Sequence, residues 1–393
     1  MTGPNNKKIR LFCAITLGEM GGAQQFVQQL TRSLDPEWYT IAVVSGSDGR
    51  RELASHLAQH VSWEVVPRLV RRISPFNDFR AVRNMRRMMA EFEPDIVLLN
   101  SSKAGFIGAL AARKLRKSIP GLKVVYRIGG WSFNDPRPAW QRWLFTRLER
   151  WSANLKDVIV VNCRHDLLQA RQLRIEPRVG VIHIPNGIDP YHESLNRTDA
   201  REELVSRIEQ STEHRPDLST VVGVIANFYP TKGLNILLDA AFMTPTIQYV
   251  IIGDGPLRER LEQKLDEIKG PRNVFLCGRV PDARRYITAF DILALPSLKE
   301  GFPWSVLEAM AAKVPVVATT VGAVPEALSD EKSALLVPPG DAQALADAIV
   351  RLANNTKLRQ DLVISAHQEL LAKYTLREMT EKYKKLFRSL VLP

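Results

Sequence analysis

The sequence predicts an α/β protein with two domains, each built on a parallel sheet. The chain has 393 residues, and a domain typically holds about 100–200. Short apolar runs rich in Val and Ile, typical of buried strands, alternate with longer segments whose apolar residues recur at helical spacing. Strands that alternate with helices form parallel sheets covered on both faces. Because this alternation occurs in both halves of the chain, we expect two Rossmann-like domains.

Each half of the chain contributes a comparable set of predicted strands. In the first half, the strand-like runs are IRLFCAI, YTIAVVS, DIVLLN, KVVYRIG, DVIVVN and VGVIHIP. In the second half, they are STVVGVIAN, QYVIIG, NVFLCG, DILALP, VPVVAT and SALLVP. The segments between them, such as QQFVQQLTRSL and GALAARKLR, show the helical spacing of apolar residues.

A segment without periodicity, PNGIDPYHESLNRT, separates the two halves at residues 185–198. Its proline and glycine content suits an exposed connection. The sequence therefore predicts the following division: a first domain at 1–185, a linker at 186–198, a second domain at 199–374 and a final helical segment at 375–393.

The net charge of +12 lies entirely in the first half of the chain. Residues 1–195 carry 29 Lys and Arg against 17 Asp and Glu, whereas residues 196–393 carry 25 of each kind. The basic excess is concentrated at 68–87 and 113–117. Such a patch favours anionic lipid head groups, phosphorylated substrates or nucleic acid. A solvated basic face without a specific partner is the alternative.

Cysteine usage and hydropathy indicate the cellular compartment in which the protein lies. Cys13, Cys163 and Cys277 form no C-x-x-C pair, which predicts buried thiols in a reducing compartment and disfavours a disulfide framework or a zinc site. The start of the chain lacks the apolar run of a signal peptide. No apolar stretch reaches the ~18–20 residues that span a bilayer. We therefore expect a cytoplasmic protein, soluble or attached peripherally to the inner face of a membrane.

Two loops that follow predicted strands could bind an anion, and a third resembles part of a dinucleotide-binding turn. Gly21 and Gly22 precede a predicted helix, where backbone N–H groups can approach a phosphate, although a tight turn would also explain them. Lys232 in ANFYPTKG could neutralise a diphosphate, or could be an ordinary surface lysine. GDGPLRERL lacks the third glycine of G-x-G-x-x-G because Arg258 stands there, so a turn and a helix beginning near Pro256 explain it.

The stretch KEGFPWSVLEAM at 299–310 places two carboxylates around a predicted helix start. Pro303 suits the first helical position, and the helix is predicted over 304–313. Its first N–H groups lack partners within the helix and form an anion site. Glu300 just outside the helix and Glu308 inside it could accept hydrogen bonds from sugar hydroxyls on either side of a phosphate. Alternatively, Glu300 caps the helix and Glu308 faces solvent.

Taken in order, these loops resemble glycosyltransferase family 4, the group 1 glycosyltransferases with the GT-B fold. The resemblance covers nearly the whole chain, and the spaced pair of glutamates is its most specific element. The motifs that carry it are GGAQ (21–24), PNGID (185–189), PTKG (230–233), GDGP (253–256), PSLKEGFPWSVLEAMA (296–311) and GAVPE (322–326).

The resemblance implies a retaining enzyme that moves a sugar from a nucleotide-diphosphate donor to a glycan or lipid-linked acceptor, as in cell-envelope glycan synthesis. It implies a cleft between an N-terminal acceptor domain and a C-terminal donor domain, with the last helix packing back on the first domain. Glu300 would bind the donor sugar, Glu308 the ribose and Lys232 the diphosphate, with Glu300 and Lys232 as the catalytic residues. Arg279 and Val280 would contact the base. No metal and no cofactor beyond the nucleotide sugar is implied, because lysine and helix dipoles take the leaving-group charge.

The predicted donor site is therefore a set of loop and helix-start residues. Its members are Gly21, Gly22, Asn227, Lys232, Arg279, Val280, Glu300, Gly301, Phe302, Pro303, Trp304, Ser305 and Glu308.

Two positions depart from the family pattern. Asn227 stands five residues before Lys232, where the family usually has an arginine, so one positive charge near the diphosphate is absent. Gly129 stands where the family often has a histidine that contacts the donor sugar. Arg127 and Trp131 are the nearby residues that could supply a contact to the acceptor or the sugar.

Three alternatives remain open at the level of sequence. The same fold supports an epimerase or a phosphorylase, and an acceptor-free assay for epimerised product would reveal the former. The two departures would also suit a nucleotide-sugar-binding protein with little catalysis. A nucleic-acid binder would fit the basic charge, but the chain lacks basic–aromatic interleaving or a named motif, so we expect no nucleic-acid partner.

Overall fold

The chain folds into two compact units. The computed structural model describes residues 8–47, 52–212, 219–267 and 273–391. Residues 1–7, on which part of the signal-peptide prediction rests, lie outside these ranges. Unit 1 comprises Met1–Asn186 and Leu376–Pro393, and unit 2 comprises Gly187–Thr375.

Within its described residues, unit 1 is built on a seven-stranded sheet in which every neighbouring pair is parallel. The strands are β1 (Ile9–Ile15), β2 (Tyr39–Gly46), β3 (Val61–Val66), β4 (Ile96–Asn100), β5 (Lys123–Arg127), β6 (Val158–Val161) and β7 (Gly180–His183). Their order in the sheet is β3-β2-β1-β4-β5-β6-β7. Strand β3 was not predicted, because this edge strand is fully buried only at its two ends and so lacks a continuous apolar run.

The described part of unit 2 is built on a six-stranded parallel sheet. Its strands are β8 (Val221–Ile225), β9 (Gln248–Ile252), β10 (Val274–Gly278), β11 (Ile292–Leu295), β12 (Val316–Thr319) and β13 (Leu335–Val337). Their order is β10-β9-β8-β11-β12-β13. Two parallel-sheet α/β units confirm the predicted fold class.

Helices connect the strands in both units. Unit 1 contains α1 (Gly22–Ser33), α2 (Glu52–His56), α3 (Pro75–Phe92), α4 (Ser102–Leu115), α5 (Ala139–Ala153) and α6 (Arg164–Gln172). Unit 2 contains α7 (Arg197–Thr212), α8 (Leu234–Met243), α9 (Arg258–Asp266), α10 (Trp304–Ala312), α11 (Val324–Ala327), α12 (Ala342–Ala353) and α13 (Thr356–Lys373), and α14 (Leu376–Val391) belongs to unit 1. Short 3-10 helices lie at Ser132–Asn134, Pro230–Lys232 and Ala283–Ala289. No helix in the described ranges is both long enough and apolar enough to cross a bilayer.

The last helix, α14, is fixed to unit 1 by aromatic side chains on one of its faces. The ring of Tyr383 packs 5.1 Å from that of Phe26 in α1, and the ring of Phe387 packs 6.5 Å from that of Tyr39 in β2. Tyr383 and Phe387 are fully buried. Burial of such large side chains stabilises the return of the chain to unit 1.

Each sheet has one point at which its strand order reverses. In unit 1 this point lies between β1 and β4, and in unit 2 it lies between β8 and β11. Ligands of open α/β sheets bind at the carboxyl ends of the strands at such a point. The loops that follow β8 and β11 are PTKG and KEGFP, so unit 2 brings together two of the motifs noted in the sequence.

Candidate active site

The loops after β8 and β11 are bound to each other through their backbones. Thr231 O accepts hydrogen bonds from Leu298 N at 2.8 Å and from Lys299 N at 3.2 Å. Gly233 adopts a left-handed conformation with a φ of 63°, and a Cβ there would lie 1.9 Å from Pro296 O. Glycine is therefore required in PTKG, because any side chain would push the two loops apart.

Lys232 and Glu300 meet at this junction. Lys232 Nζ lies 2.6 Å from Glu300 Oε1, and Ser297 Oγ donates to the same oxygen at 2.6 Å. The side chain of Glu300 is 7% exposed and that of Lys232 is 26% exposed. Glu300 Oε2 accepts no hydrogen bond from any residue that the structure describes. Glu300 Oε1 is therefore held by Lys232 and Ser297, whereas Glu300 Oε2 is available to a ligand beside the Lys232 cation.

The backbone of Glu300 is supported by the GAVPE loop after β12. Gly322 has a φ of 55°, and a Cβ there would lie 2.1 Å from Glu300 O. Ala323 N donates to Gly301 O at 2.8 Å. This loop carries one of the motifs that resemble the family, and it fixes the position from which the Glu300 side chain extends.

Helix α10 begins directly after these residues and carries the second glutamate. Pro303 is the N-cap residue with extended backbone rather than the first helical residue, and the helix covers Trp304–Ala312, close to the predicted 304–313. Phe302 is buried, and its ring packs 5.1 Å from that of Tyr374, whose hydroxyl donates to Glu326 O at 2.9 Å. Glu308 is buried on α10, which removes the alternative that it faces solvent. Trp304 and Ser305 occupy the first helical turn, where N–H groups have no acceptor within the helix.

The GDGP loop after β9 supports the loop after β8. Gly253 and Gly255 have φ values of 146° and 153°, and Cβ atoms there would lie 1.8 Å from Ala226 O and 2.8 Å from Phe228 N. Phe228 N donates to Asp254 O at 2.8 Å. These glycines therefore permit close backbone packing. Helix α9 begins at Arg258 rather than near Pro256.

The remaining unit 2 residues of the predicted site lie beside these loops. Asn227 is exposed directly after β8, with its carbonyl accepting from Tyr229 N at 2.7 Å. Arg279 is half-buried and Val280 is buried after β10. Gly253 N donates to Gly278 O at 2.9 Å, which joins the GRVP and GDGP loops.

The candidate residues of unit 1 lie in different environments. Gly21 is the extended N-cap of α1, and Gly22 is the exposed first residue of that helix. Gly129 is exposed, and a Cβ there would meet just Arg127 Nη1 at 4.0 Å, so a larger side chain would fit. The structure brings Gly129 close to the sheet edge without burying it.

Arg127 and Trp131 lie inside unit 1. Arg127 Nη2 donates to Asn186 Oδ1 at 2.7 Å, and its guanidinium lies 3.9 Å from the centre of the Phe26 ring. Burial lowers the pKa of Arg127, although Tyr383 opposes that effect. Trp131 is fully buried, and its indole Nε1 donates to Asp166 O at 3.0 Å. Both side chains stabilise unit 1, and the indole of Trp131 presents no surface to an acceptor.

Ser297 is a site residue that was not predicted, although it lies in the motif PSLKEGFPWSVLEAMA. Ser297 is fully buried, and its carbonyl accepts from Thr319 Oγ1 at 2.6 Å. A hydroxyl three residues before Glu300, between a buried strand and a turn, was the available signal.

Comparison with known proteins decides the family. The family described as "Glycosyl transferase 4-like domain" matches residues 21–187, and the family described as "Glycosyl transferases group 1" matches residues 219–355. The chain belongs to the group 1 glycosyltransferases. Its glycosyltransferase activity and the resemblance inferred from the motifs are thereby confirmed.

Several relatives of known structure or function align with nearly the whole length of this glycosyltransferase. The UDP-Gal:alpha-D-GlcNAc-diphosphoundecaprenol alpha-1,3-galactosyltransferase of Escherichia coli is 23% identical, with 98% of each chain covered. HepE of Anabaena in complex with UDP-glucose is 20% identical with a TM-score of 0.79, covering 97% of this chain and 100% of HepE. Sucrose-phosphate synthase from Thermosynechococcus elongatus is 19% identical with a TM-score of 0.81, covering 98% of this chain and 99% of that one. These likenesses confirm the GT-B fold.

We predict that Gly322→Ala will reduce transfer by more than about tenfold while the protein remains folded. The added methyl would lie 2.1 Å from Glu300 O, so the Glu300 backbone must move, and about 1 Å of misplacement can cost about 100-fold in rate. Gly340→Ala is the matched control, because Gly340 has a φ of 85° but a methyl added there would meet no atom within 4 Å. Steady-state rates and melting temperatures of both variants check the prediction. Equal loss of activity in both would attribute the effect to backbone strain and contradict the role of the close contact.

Proposed function

We propose that this glycosyltransferase is a retaining enzyme that transfers a sugar from a UDP-sugar to a lipid-linked acceptor in cell-envelope glycan synthesis. The observation that carries the proposal is the contact of Lys232 and Ser297 with one oxygen of Glu300, at the strand-order reversal of unit 2. The choice of UDP is supported by HepE, which binds UDP-glucose, and by the E. coli relative, which uses UDP-galactose. That relative's acceptor, a diphosphoundecaprenol-linked sugar, supports a lipid-linked acceptor.

In the proposed reaction, the bond between the anomeric carbon and the donor phosphate oxygen breaks, and the electron pair leaves with the diphosphate. Lys232 and the first N–H groups of α10 stabilise the negative charge that develops on the leaving group. Lys232 and the start of α10 supply the positive charge that the departing diphosphate needs. We therefore propose that transfer needs no resident metal. Gly21 and Gly22 are proposed as further phosphate contacts.

Glu300 is proposed to hold the donor sugar during this step. Its Oε1 is fixed by Lys232 and Ser297, so Oε2 can accept hydrogen bonds from sugar hydroxyls. Glu308, buried on α10, is proposed to bind the ribose, and Arg279 and Val280 the base. The acceptor hydroxyl attacks the face that the diphosphate leaves, and its proton passes to the departing diphosphate. The anomeric configuration is then retained.

Unit 1 is proposed as the acceptor domain. Its basic excess complements a diphosphate-linked or other anionic lipid acceptor at the cytoplasmic face of a membrane. Asn227 leaves one fewer positive charge beside the donor, so we assign greater weight to Lys232 in leaving-group stabilisation.

The proposal is tested by incubating the purified protein with UDP-, GDP- and ADP-sugars and a diphosphoundecaprenol-linked sugar. We expect transfer from a UDP-sugar, and an α-linked product from an α-linked donor, read from the anomeric proton coupling by NMR. A β-linked product would contradict retention. Epimerised nucleotide sugar formed without acceptor would contradict transfer as the main reaction.

A further inference from the structure

Helix α5 turns an apolar face toward solvent. Trp140 is 65% exposed and Trp143 is 63% exposed, and Leu144, Leu148 and Trp151 are also exposed. Their spacing along Ala139–Ala153 places them on one side of the helix. We call these five residues the aromatic stripe. The opposite side, with Glu149, Ser152 and Ala153, is the buried one. An exposed apolar surface of this kind marks an interaction site.

The charges beside the aromatic stripe are positive. Arg142, Arg147 and Arg150 of α5 are exposed, and the Arg147 guanidinium lies 5.5 Å from the centre of the Trp143 ring. The one carboxylate in the α5 sequence, Glu149, is buried. The surface of α5 therefore combines tryptophan, leucine and arginine without an opposing exposed negative charge.

A second group of exposed apolar side chains lies around the start of α3. Ile73, Phe76 and Phe79 are exposed large apolar residues, and the Arg80 guanidinium lies 4.0 Å from the centre of the Phe76 ring. We call Ile73, Phe76 and Phe79 the α3 cluster.

The α3 cluster and the aromatic stripe belong to one layer of helices. Lys103 of α4 pairs with Asp78 of α3 at 2.6 Å, and Phe106 of α4 packs 5.8 Å from Trp151 of α5. Both α3 and α5 follow a strand of the parallel sheet, so both begin at the carboxyl edge of that sheet. The α3 cluster and the first part of the aromatic stripe thus occupy the same edge of unit 1.

A depression adjoins the other end of the aromatic stripe. It has a volume of about 470 Å³ and is lined by Arg113, Trp151, Asn154, Leu155 and Arg178. Arg178 Nε donates to Asn154 O at 3.0 Å, which holds that guanidinium at the rim. Two arginines beside a tryptophan suit an anionic phosphate group above an apolar chain.

We propose that the aromatic stripe and the α3 cluster insert into the interface of an anionic bilayer, with α5 parallel to the membrane plane. Tryptophan and arginine side chains favour this region, where one end of a side chain is apolar and the other is hydrated. The depression takes the phosphate of an anionic lipid head group. Lipid is favoured over a protein partner because the aromatic residues extend along the whole helix and all exposed charges of α5 are positive. This surface would hold the protein against the membrane that carries the proposed lipid-linked acceptor. Only that biological purpose rests on the proposed function; the membrane binding itself does not.

Binding of the full chain to vesicles tests the surface without using enzymatic activity. We expect co-sedimentation with vesicles of phosphatidylcholine and phosphatidylglycerol, weakened by salt, and little binding to phosphatidylcholine alone. Trp140→Ser with Trp143→Ser should weaken partition by about tenfold or more. Each of Arg142→Gln and Arg147→Gln should weaken it by about fivefold. Trp38→Ser is the matched control, because Trp38 is 44% exposed in unit 1 but lies outside the aromatic stripe; it should bind as the wild type does.

Several results would overturn this inference. They are equal binding to neutral and anionic vesicles, undiminished binding by the double tryptophan variant, an equal loss in Trp38→Ser, or a dimer that the double variant dissociates. Circular dichroism and melting temperature verify that each variant is folded. Glu300→Gln should bind vesicles normally, so failure of the proposed transfer reaction and failure of the membrane surface would be seen separately.

Discussion

Glu300→Gln is expected to lower kcat by about 100-fold to 1,000-fold, the range seen when one preorganised charge-stabilising group is removed. Glutamine keeps the shape of the side chain and can still accept from Ser297 Oγ. It loses the negative charge that pairs with Lys232 and that strengthens hydrogen bonds from sugar hydroxyls. We therefore expect the chemical step to suffer more than donor binding. Single-turnover rates and the KM for the donor separate these two effects.

Glu331→Gln is the matched control for this experiment. Glu331 is also a glutamate of unit 2 in an ion pair, with Arg351, and that pairing lowers the pKa of Glu331. The pair is exposed and lies outside the candidate site, so its loss should leave the transfer rate unchanged. A Glu300→Gln enzyme with a rate close to that of the wild type would remove Glu300 from the proposed mechanism. Comparable losses in both variants would assign the effect to general disturbance of unit 2.

The sequence was sufficient to predict the fold class and the loops that meet in unit 2, because both depend on local patterns. Buried parallel strands require apolar runs, and the glycines of PTKG, GDGP and GAVPE mark places where backbones approach closely. Strand β3 could not be predicted in this way, because its half-exposed position allows Trp63 and Glu64 within the strand.

Side-chain partners were harder to predict, because they depend on packing between distant segments. Arg127 ends strand β5 and Trp131 follows it, at the end of a strand where ligand-binding residues lie. Yet both side chains have partners in the interior of unit 1, which are Asn186 and Phe26 for Arg127 and Asp166 for Trp131. The orientation of α5 was equally hard to predict from the sequence. Its sequence has an apolar side that would ordinarily face the core, and the structure places that side outward.

A buried ion pair explains why the apolar side of α5 faces solvent. Lys156, in the turn that follows α5, donates to Glu149 Oε2 at 3.2 Å and to Ser152 Oγ at 3.1 Å. Tyr126 OH donates to Glu149 Oε1 at 3.2 Å, and Lys156 Nζ lies 4.0 Å from the centre of the Tyr126 ring. Burial lowers the pKa of Lys156, and Glu149 opposes that shift. The polar side of α5 is therefore the one held against the sheet, and the aromatic stripe is left outside.

Lys156→Met is expected to destabilise unit 1 by about 3–5 kcal/mol, because it leaves the Glu149 carboxylate buried without a compensating charge. Adding Glu149→Gln should recover more than half of that loss, since glutamine removes the charge and still accepts from Tyr126 OH. Urea unfolding followed by tryptophan fluorescence measures both variants. Six of the seven tryptophans, all except Trp304, belong to unit 1, so the signal reports mainly on that unit. A loss below about 1 kcal/mol in the single variant, the value typical of an exposed pair, or an equal loss in the double variant, would show that the pair does not hold α5 in place.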